Sequence, residues 1–419
     1  MTFNIRGAAV SPPRHSLLSI LVLTALTPWF AGSAQAQSKE VKVAVAVPLS
    51  GAWARNGELH LKGAQMAVDD INAAGGIKAL GGAKLKLIVA DAGDSAEKAK
   101  NAAQRLLSQD PDLVGGTGAF LSSFTLAITE VTERAQVPWL TLSYSDQITA
   151  RGYQYVFQTS PIASKMAEDA LPILLQISKQ AKAAVPQTVA IIMDNTASPV
   201  SFTKSMRAGG FDKLGLKLVV DEVFTPPLSD ATSMVQKVRN ARPDLLLMLT
   251  TNVPDTKLVL EKLTEMGLGK GRLAVVANGG AMSAPELLNV MGKELMEGLM
   301  VIIANWGGKG NEKLVEQFKA KTKEPWMTQD SMSTYGDMWI LKDAMELAKS
   351  ADPKKVGAAM HAMDGSQSSS RYFPGGNVKF DANGRRIGAE LVILQWQNGE
   401  PKPVYPPSLA VTQAVWSKK

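Results

Sequence analysis

Apolar residues in the first part of the chain are spaced alternately as in a strand and as in a helix. Residues 41–49, "VKVAVAVPL", form an apolar run of strand length that reaches Pro48. The next apolar residues are three or four positions apart, on one face of a helix: Leu61, Ala64, Val68 and Ile71. Gly75 and Gly76 then end this helix.

Strands and helices continue to alternate up to residue 143. Residues 84–91, "KLKLIVAD", alternate between apolar and polar as a strand does. Asp94 and Glu97 have the spacing of a capping box, ahead of an alanine-rich helix. The rest of this block predicts a strand, a helix and a strand: 112–116, 122–135 and 137–143.

After "FQTSP" (157–161) the same pattern starts again. Further apolar runs of strand length are separated by helical segments: 188–194, 216–223, 243–250, 273–278 and 298–306. Near-continuous apolar strands between helices indicate parallel sheets that are covered by helices on both faces. We therefore predict an α/β fold of two doubly wound lobes, divided near 159–161.

The last part of the chain has a different pattern. Helices are predicted at about 311–322 and 330–349. Residues 377–386 and 390–404 are typical of short antiparallel strands, with a turn at Asn383–Gly384.

The first 36 residues have the pattern of a cleavable signal peptide. Arg6 and Arg14 precede an apolar run at 17–32, and Ala34-Gln35-Ala36 is a typical cleavage site. A retained membrane anchor is the alternative, but the run is short for a span and Pro28 interrupts it. We expect an exported, periplasmic protein without a lipid anchor, because the chain contains no cysteine.

Charge alone does not identify a partner. The formal net charge is +7, and the lysines are spread along helices rather than clustered in runs. A mild positive field suits an acidic ligand, but a solvated surface explains it equally well. We therefore expect no nucleic-acid partner.

The usual catalytic and metal-binding motifs do not occur in the sequence. Of three histidines, His15 belongs to the signal peptide, and neither His60 nor His361 has a second histidine at metal-ligand spacing. We expect the His60 side chain to be solvated or fully hydrogen-bonded. There is no G-x-S-x-G nucleophile elbow, so an enzyme is disfavoured and no metal or cofactor is predicted.

The stretch "VGGTGAFLSSFT" (114–125) is a glycine-rich turn between a strand and a helix, which is a common place to bind an anion. A dinucleotide fingerprint requires a glycine where this chain has Leu121, and no Gly-Lys-Ser/Thr occurs. The remaining interpretation is a carboxylate site at Ser122 or Ser123. The alternative is that these serines only cap the helix.

Residues 47–77, "VPLSGAWARNGELHLKGAQMAVDDINAAGGI", resemble the opening of the branched-chain amino acid-binding family, the periplasmic substrate-binding components of ABC importers. The family's helix pattern G-x-x-x-A-x-x-x-I-N-x-x-G-G-I is matched at Gly63, Ala67, Ile71, Asn72, Gly75, Gly76 and Ile77. Segments such as "LIVADAGDSAEKAKNAAQRLL", "QVPWLTLSYSDQIT" and "RGYQYVFQTSP" resemble later family segments in order, up to about Trp396.

The resemblance implies two lobes joined by three hinge crossovers, with the ligand in the cleft between them. The first lobe would comprise residues 40–159 and 305–372, and the second lobe 160–304 and 373–419. In the first lobe, the resemblance assigns the ligand's carboxylate to Ser122 and Ser123 and places further candidates around the cleft: Ser143, Tyr144, Ser145 and, at the rim, Trp53. Core packing or simple exposure is the alternative for Tyr144 and Trp53.

The second lobe departs from the family's amino-acid-binding pattern. Ser198, next to Pro199, stands where an aromatic residue is common, and Asn252 follows a later strand. Asn278 stands where an acidic residue would pair with an α-ammonium group. We therefore expect a carboxylate-bearing ligand without an obligatory α-amino group, such as an aromatic or other organic acid.

The expected partners are this ligand and an ABC permease in the inner membrane, with the protein acting as a monomer. Two alternatives stay open: an amino acid-binding member of the same family, and a ligand sensor for a membrane signalling partner. A cytoplasmic repressor of related fold is disfavoured by the export signal.

Overall fold

The first sheet is parallel throughout. The structure is a computed structural model that describes residues 40–416, so the predicted signal peptide at 1–36 lies outside the described residues. The strands have the order β2-β1-β3-β4-β5. Their bounds are β1 Glu40–Val47, β2 Lys84–Asp91, β3 Gly115–Gly118, β4 Trp139–Thr141 and β5 Val156–Gln158.

The second sheet has a parallel part and an antiparallel edge. Its strand order is β12-β11-β10-β9-β8-β6-β7, and β11 pairs antiparallel with both of its neighbours. The bounds are β6 Thr188–Asp194, β7 Lys217–Phe224, β8 Leu245–Leu249, β9 Ala274–Asn278, β10 Met300–Ile303, β11 Val392–Gln397 and β12 Glu400–Tyr405. Asn398 and Gly399, both with positive φ, connect the last two strands, as in a tight hairpin turn.

Helices lie between the strands. Those of the first block and its return are α1 Ala54–Ala73, α2 Ala96–Gln109, α3 Ser122–Arg134, α10 Glu312–Thr322, α11 Gln329–Ala348 and α12 Pro353–His361. The others are α4 Ala163–Gln180, α5 Ala197–Ser205, α6 Phe211–Lys213, α7 Thr232–Ala241, α8 Val253–Glu265 and α9 Pro285–Met296. The predicted α/β fold of two doubly wound lobes is confirmed.

Each sheet is buried on both faces. In β1, Val43 and Val45 belong to a core shared with α1 and α11, whereas Ala44 and Ala46 belong to a second core shared with α2 and α3. The second sheet divides its residues between two cores in the same way. This is why the strands have near-continuous apolar sequences.

Helix α11 returns to the first lobe and packs closely on α1. A Cβ atom at Gly63 would lie 2.1 Å from the carbonyl oxygen of Ser331, so only glycine allows this approach. Ser331 Oγ donates to the carbonyl of Leu59, and Thr334 Oγ1 to that of His60. The family-pattern glycine therefore positions the first turn of α11 beside the first turns of α1.

The chain crosses between the lobes after β5, after β10 and again before β11. The third crossing comes later than the expected boundary at 372, because Phe373, Val378 and Phe380 belong to the core of the first sheet. We propose a boundary near residue 388 instead. The two lobes together form one compact unit.

Residues 377–386 do not form the predicted strand. They contain one isolated antiparallel bridge, between Phe380 and Arg386. The segment instead extends the end of β5, where Gln158 donates to the carbonyl of Gly384 and accepts from the amide of Arg386. The predicted turn at Asn383–Gly384 is present, because the amide of Asp381 donates to the carbonyl of Arg385 and that of Ile387 to the carbonyl of Lys379. The antiparallel pairing around this turn is therefore shorter than predicted.

Candidate ligand-binding cleft

A cavity lies at the carboxyl ends of strands from both sheets. The empty space between protein atoms here, together with adjoining open solvent, amounts to about 530 Å³. Its walls are Phe120–Ser122 after β3, Leu142 and Tyr144 after β4, Thr196, Ser198 and Pro199 after β6, Leu249–Thr251 at the end of β8, Asn278–Ala281 after β9, and Gln329 and Asp330 of α11. Ligands of open α/β sheets bind in crevices of this type.

The turn after β3 depends on one glycine. Gly118 has φ +119°, and a Cβ atom there would lie 2.2 Å from the carbonyl oxygen of Ala46. Ala119 also has positive φ, and its amide donates to the same carbonyl at 2.7 Å. This tight turn directs the chain into α3 at the cavity wall.

Ser122 and Ser123 have different positions in this turn. Leu121, not a serine, is the N-cap residue of α3, and Ser122 is the first residue of the helix. Ser122 is buried and lines the cavity, whereas Ser123 is half-buried and outside the lining. Ser122 Oγ accepts from the amide of Ser145 at 3.0 Å, so its hydroxyl proton can be turned toward the cavity.

Tyr144 is the member of the Ser143–Ser145 turn that lines the cavity. Its hydroxyl donates to Gln329 Oε1 at 2.5 Å, and burial raises its pKa. Ser143 Oγ donates to the carbonyl of Ala119 at 2.6 Å, while Ser145 Oγ lies 3.0 Å from Ser201 Oγ of the second lobe. Ser143 and Ser145 therefore lie outside the cavity lining, and their hydrogen bonds fix the position of the turn that carries Tyr144.

A buried carboxylate, Asp194, fixes the wall of the second lobe. Its Oδ1 accepts from the amide and hydroxyl of Thr196, at 3.0 and 2.6 Å. Its Oδ2 accepts from the amide and hydroxyl of Thr251, at 2.8 and 2.7 Å. Burial raises the pKa of Asp194. Sequence reasoning missed this role, although an acid that ends the apolar run 188–194 was the available signal.

Two of the three predicted ligand-binding residues of the second lobe line the cavity, and the third does not. Ser198 and Asn278 line the cavity. Asn252 lies outside the lining and caps α8, because its Oδ1 accepts from the amide of Asp255 at 2.8 Å and its Nδ2 donates to the same side chain. Its polar groups are therefore used within the helix.

Trp53 lies beside the cavity wall rather than in it. Its Nε1 donates to the carbonyl of Thr251 at 3.1 Å, which connects the first lobe to the second. Its ring packs edge-on against Phe124, with 5.6 Å between centroids. The predicted rim position agrees with this contact.

Gln329 and Asp330 were not anticipated from the sequence. They are the first two residues of α11, after the N-cap residue Thr328, and Asp330 Oδ2 accepts from Asn56 Nδ2 at 2.9 Å. An acid in a first helical turn is common for electrostatic reasons alone. The sequence therefore gave no signal that these residues reach the cavity.

His60 is neither solvated nor fully hydrogen-bonded, contrary to expectation. It is completely buried, stacks on Phe120 and places Nδ1 2.7 Å from the carbonyl oxygen of Asn56. Its Nε2 lies 3.8 Å from Asp330 Oδ1. The packing of α11 on α1 brings the imidazole to this position.

The lining is mostly uncharged. Of the described residues that form it, Asp330 and Tyr144 are ionisable, and neither lysine nor arginine is among them. Within residues 40–416, no group of three or more His, Cys, Asp or Glu side chains could hold a metal ion. Hydrogen-bonding groups, helix termini and apolar surfaces are therefore what the cavity offers.

Two α/β lobes with mainly parallel sheets, and a cleft at the carboxyl ends of their strands, define a protein of the type I periplasmic binding fold. A family model described as "periplasmic binding protein" matches residues 40–401, and the chain belongs to this family. The family consists of substrate-binding proteins of ABC transporters, not of enzymes; its members are periplasmic, bind small molecules and deliver them to a permease. None of the helices described between residues 40 and 416 has the length and apolarity to cross a bilayer.

Individual relatives agree with this assignment. The chain is 28% identical to Leu/Ile/Val-binding protein homolog 8 of Brucella abortus over 396 residues, which is 90% of this chain and 94% of the relative. A leucine-binding protein of Thermotoga maritima superposes with a TM-score of 0.73 at 22% identity, covering 87% of this chain and 97% of the other. A solute-binding protein of R. palustris in complex with benzoate gives 0.72 at 16% identity, covering 91% and 99%.

Proposed function

We propose that the protein captures a small carboxylate-bearing ligand, an aromatic or other organic acid, in the cleft and delivers it to an ABC permease of the inner membrane. We also infer that it acts as a monomer, because both walls of the cleft come from one chain, and that residues 1–36 direct its export to the periplasm. Sequencing the N-terminus of protein recovered from the periplasm tests the export.

The observation that carries the carboxylate assignment is the start of α3 at the cavity wall. The first amides of a helix have no acceptor within the helix, and the helix dipole favours an anion there. Ser122 lines the cavity at this point and adds a hydroxyl donor. A carboxylate accepts hydrogen bonds from such groups without needing a cationic residue.

The second-lobe wall supports an organic acid over a plain amino acid. Its polar lining residues are uncharged, among them Thr196, Ser198 and Asn278. Pro199 and Leu249 add apolar surface to this wall, and the Tyr144 ring adds more from the first lobe, which suits an aromatic or aliphatic body. Proteins of this fold include one in complex with benzoate.

An α-amino acid is the second candidate. Asp330 offers a carboxylate to the cavity from the first lobe, and relatives carry Leu/Ile/Val-binding and leucine-binding names. Calorimetric titration with a panel of aromatic acids, aliphatic acids and amino acids decides between the two candidates. Tight binding of leucine, with no binding of acids that lack the amino group, contradicts the organic-acid proposal.

The two serines of α3 allow a matched mutational test. Ser122→Ala removes the hydroxyl that lines the cavity, and we expect an affinity loss of about tenfold, typical of one hydrogen bond to a charged group. Ser123→Ala, one residue further and outside the lining, should change affinity less than about twofold. Titration calorimetry measures both, and circular dichroism checks that both variants are folded.

Equal affinities of the two variants and the wild type would show that the turn is only a helix start. In that case the carboxylate site at α3 is wrong, whatever the ligand proves to be.

A further inference from the structure

Asp330 presents one carboxylate oxygen to the cavity without a partner. The residue is 1% exposed and lines the cavity wall. Its Oδ2 accepts from Asn56 Nδ2 at 2.9 Å, which fixes the plane of the carboxylate. Its Oδ1 accepts no hydrogen bond of regular geometry from the described residues, although the Gln329 side chain lies beside the carboxylate. Burial raises the pKa of Asp330, and the nearby His60, Asn56 and Gln329 oppose that rise. Leaving a buried acceptor in this state is destabilising.

The neighbouring histidine does not satisfy this oxygen. His60 Nδ1 faces the carbonyl of Asn56, which can only accept, so Nδ1 carries a proton. His60 Nε2 then faces Asp330 Oδ1 across 3.8 Å, too far for a hydrogen bond. Within residues 40–416, this nitrogen also has no hydrogen-bond partner.

The second lobe approaches the same oxygen at a glycine. A Cβ atom at Gly280 would lie 2.2 Å from Asp330 Oδ1. Gly279 and Gly280 both line the cavity, so this wall places backbone rather than a side chain beside the carboxylate. Only glycine allows the second lobe to approach the Asp330 carboxylate this closely.

We propose that Asp330 is the specificity-determining residue of the cleft, and that its Oδ1 accepts a hydrogen bond from a hydroxyl or ammonium group of the ligand. This inference rests on the proposed carboxylate-binding function and extends it. The ligand is then a small acid with a second, donor-bearing group, bound with its carboxylate at α3 and its donor at Asp330.

Charge supports the donor requirement. Neither lysine nor arginine is among the described lining residues, and His60, which lies outside the lining, has its Nε2 3.8 Å from Oδ1. An acid without a donor would leave Oδ1 unpaired and place a second negative group in the same desolvated cleft. A donor group satisfies Oδ1, and an ammonium group also offsets its charge.

Three acids with one carbon skeleton test the inference. The compounds are 4-methylpentanoate, 2-hydroxy-4-methylpentanoate and leucine, which carry no donor, a hydroxyl donor and an ammonium donor. The aromatic series 3-phenylpropanoate, 2-hydroxy-3-phenylpropanoate and phenylalanine provides the same comparison with a larger body. Calorimetry should show that at least one donor-bearing acid binds about tenfold or more tightly than its plain counterpart.

Asp330→Asn should reduce that preference to within about threefold, because the amide group cannot replace an anionic acceptor. Asp343→Asn is the matched control, since Asp343 is also buried and also on α11 but binds Ser368 and Ser369 away from the cavity. The control should keep the full preference. Thermal unfolding of both variants verifies that they are folded.

Plain acids that bind as tightly as the donor-bearing ones overturn the inference, as does an Asp330→Asn variant with unchanged preference. No binding by either series overturns it as well. Leucinamide, which has the ammonium group but no carboxylate, separates the two proposals. Asp330-dependent binding of leucinamide at the affinity of leucine supports the inference while contradicting the carboxylate function.

Discussion

Asp337 is a buried carboxyl group on α11 beneath the first sheet. Its Oδ2 accepts from Thr117 Oγ1 at 2.6 Å. Burial raises its pKa to about 7, although hydrogen bonds from Thr117 and Thr159 and the charge of Arg386 favour the ionised form. Burial also lowers the pKa of Arg386 to about 10. Desolvation therefore outweighs pairing for both groups.

Stability should depend on pH through Asp337. Its pKa is higher in the folded protein than its ordinary value of 3.8, so its contribution is fully present below pH 3.8, declines as the pH rises and is lost above about 7. The full difference corresponds to about 4 kcal/mol. Urea unfolding between pH 4 and 8 should show the wild type losing stability relative to Asp337→Asn. Parallel profiles of the two proteins would contradict this.

At this scale, sequence reasoning located residues that follow strands and missed residues brought in by packing. Ser122, Tyr144, Ser198 and Asn278 each come directly after an apolar run, and all four line the cavity. Asp330 reaches the cavity only because α11 packs on α1, some 270 residues earlier in the chain. The local sequence around Asp330 does not indicate this long-range packing of α11 on α1. Whether these residues bind the ligand stays a prediction.

Elements were predictable where one strong local signal decided them. The strand predictions at 84–91 and 188–194 coincide with β2 and β6. The edge strand β2 was recognised by its apolar–polar alternation, and β6 by the apolar run of a buried parallel strand. In the predicted segment 377–386 the turn at Asn383–Gly384 is confirmed, but the antiparallel pairing is limited to one bridge, and the additional pairing with Gln158 is a long-range contact. The predicted N-cap residue of one helix was wrong by one position, because two neighbouring residues can both serve as the cap.

That helix is α2, whose predicted cap was Asp94. Ser95 is the N-cap residue, since its side chain accepts from the amide of Lys98 at 3.2 Å, while Asp94 forms an exposed ion pair with the Lys98 side chain. Ser95→Ala should lower the free energy of unfolding by about 1 kcal/mol. Asp94→Ala should cost less than about 0.5 kcal/mol. Urea unfolding curves measure both, and the reverse order would restore Asp94 as the cap.

On the scale of the whole molecule, the lobes meet through apolar packing, such as that of the Trp326 ring on Trp396, and through individual hydrogen bonds. Trp53 Nε1 donates to the carbonyl of Thr251 at 3.1 Å, and the hydroxyls of Ser145 and Ser201 lie 3.0 Å apart. Each such bond contributes about 0.5–1.5 kcal/mol. We therefore expect that bonds of this strength can stabilise one arrangement of the lobes without locking it.

Trp53→Phe should weaken ligand binding by about two- to tenfold, because it removes the bond to Thr251 and keeps an aromatic ring against Phe124. Trp339→Phe is the control, since Trp339 packs on Tyr372 within the first lobe and should leave affinity unchanged. Calorimetry measures affinity, and small-angle X-ray scattering measures the fraction of open molecules without ligand. Equal affinity of both variants and the wild type would exclude a role for the Trp53 bond in closure.

The position of Gln329 has a consequence for how binding is communicated. Its Oε1 accepts both from the Tyr144 hydroxyl in the cavity wall and from the amide of Ala304, at 2.5 and 2.6 Å, where the chain leaves β10 for the first lobe. A ligand that draws the phenol away leaves that amide oxygen to the crossover alone. We therefore expect a ligand that binds the Tyr144 hydroxyl to change the hydrogen bond between Gln329 and Ala304 at the crossover as well.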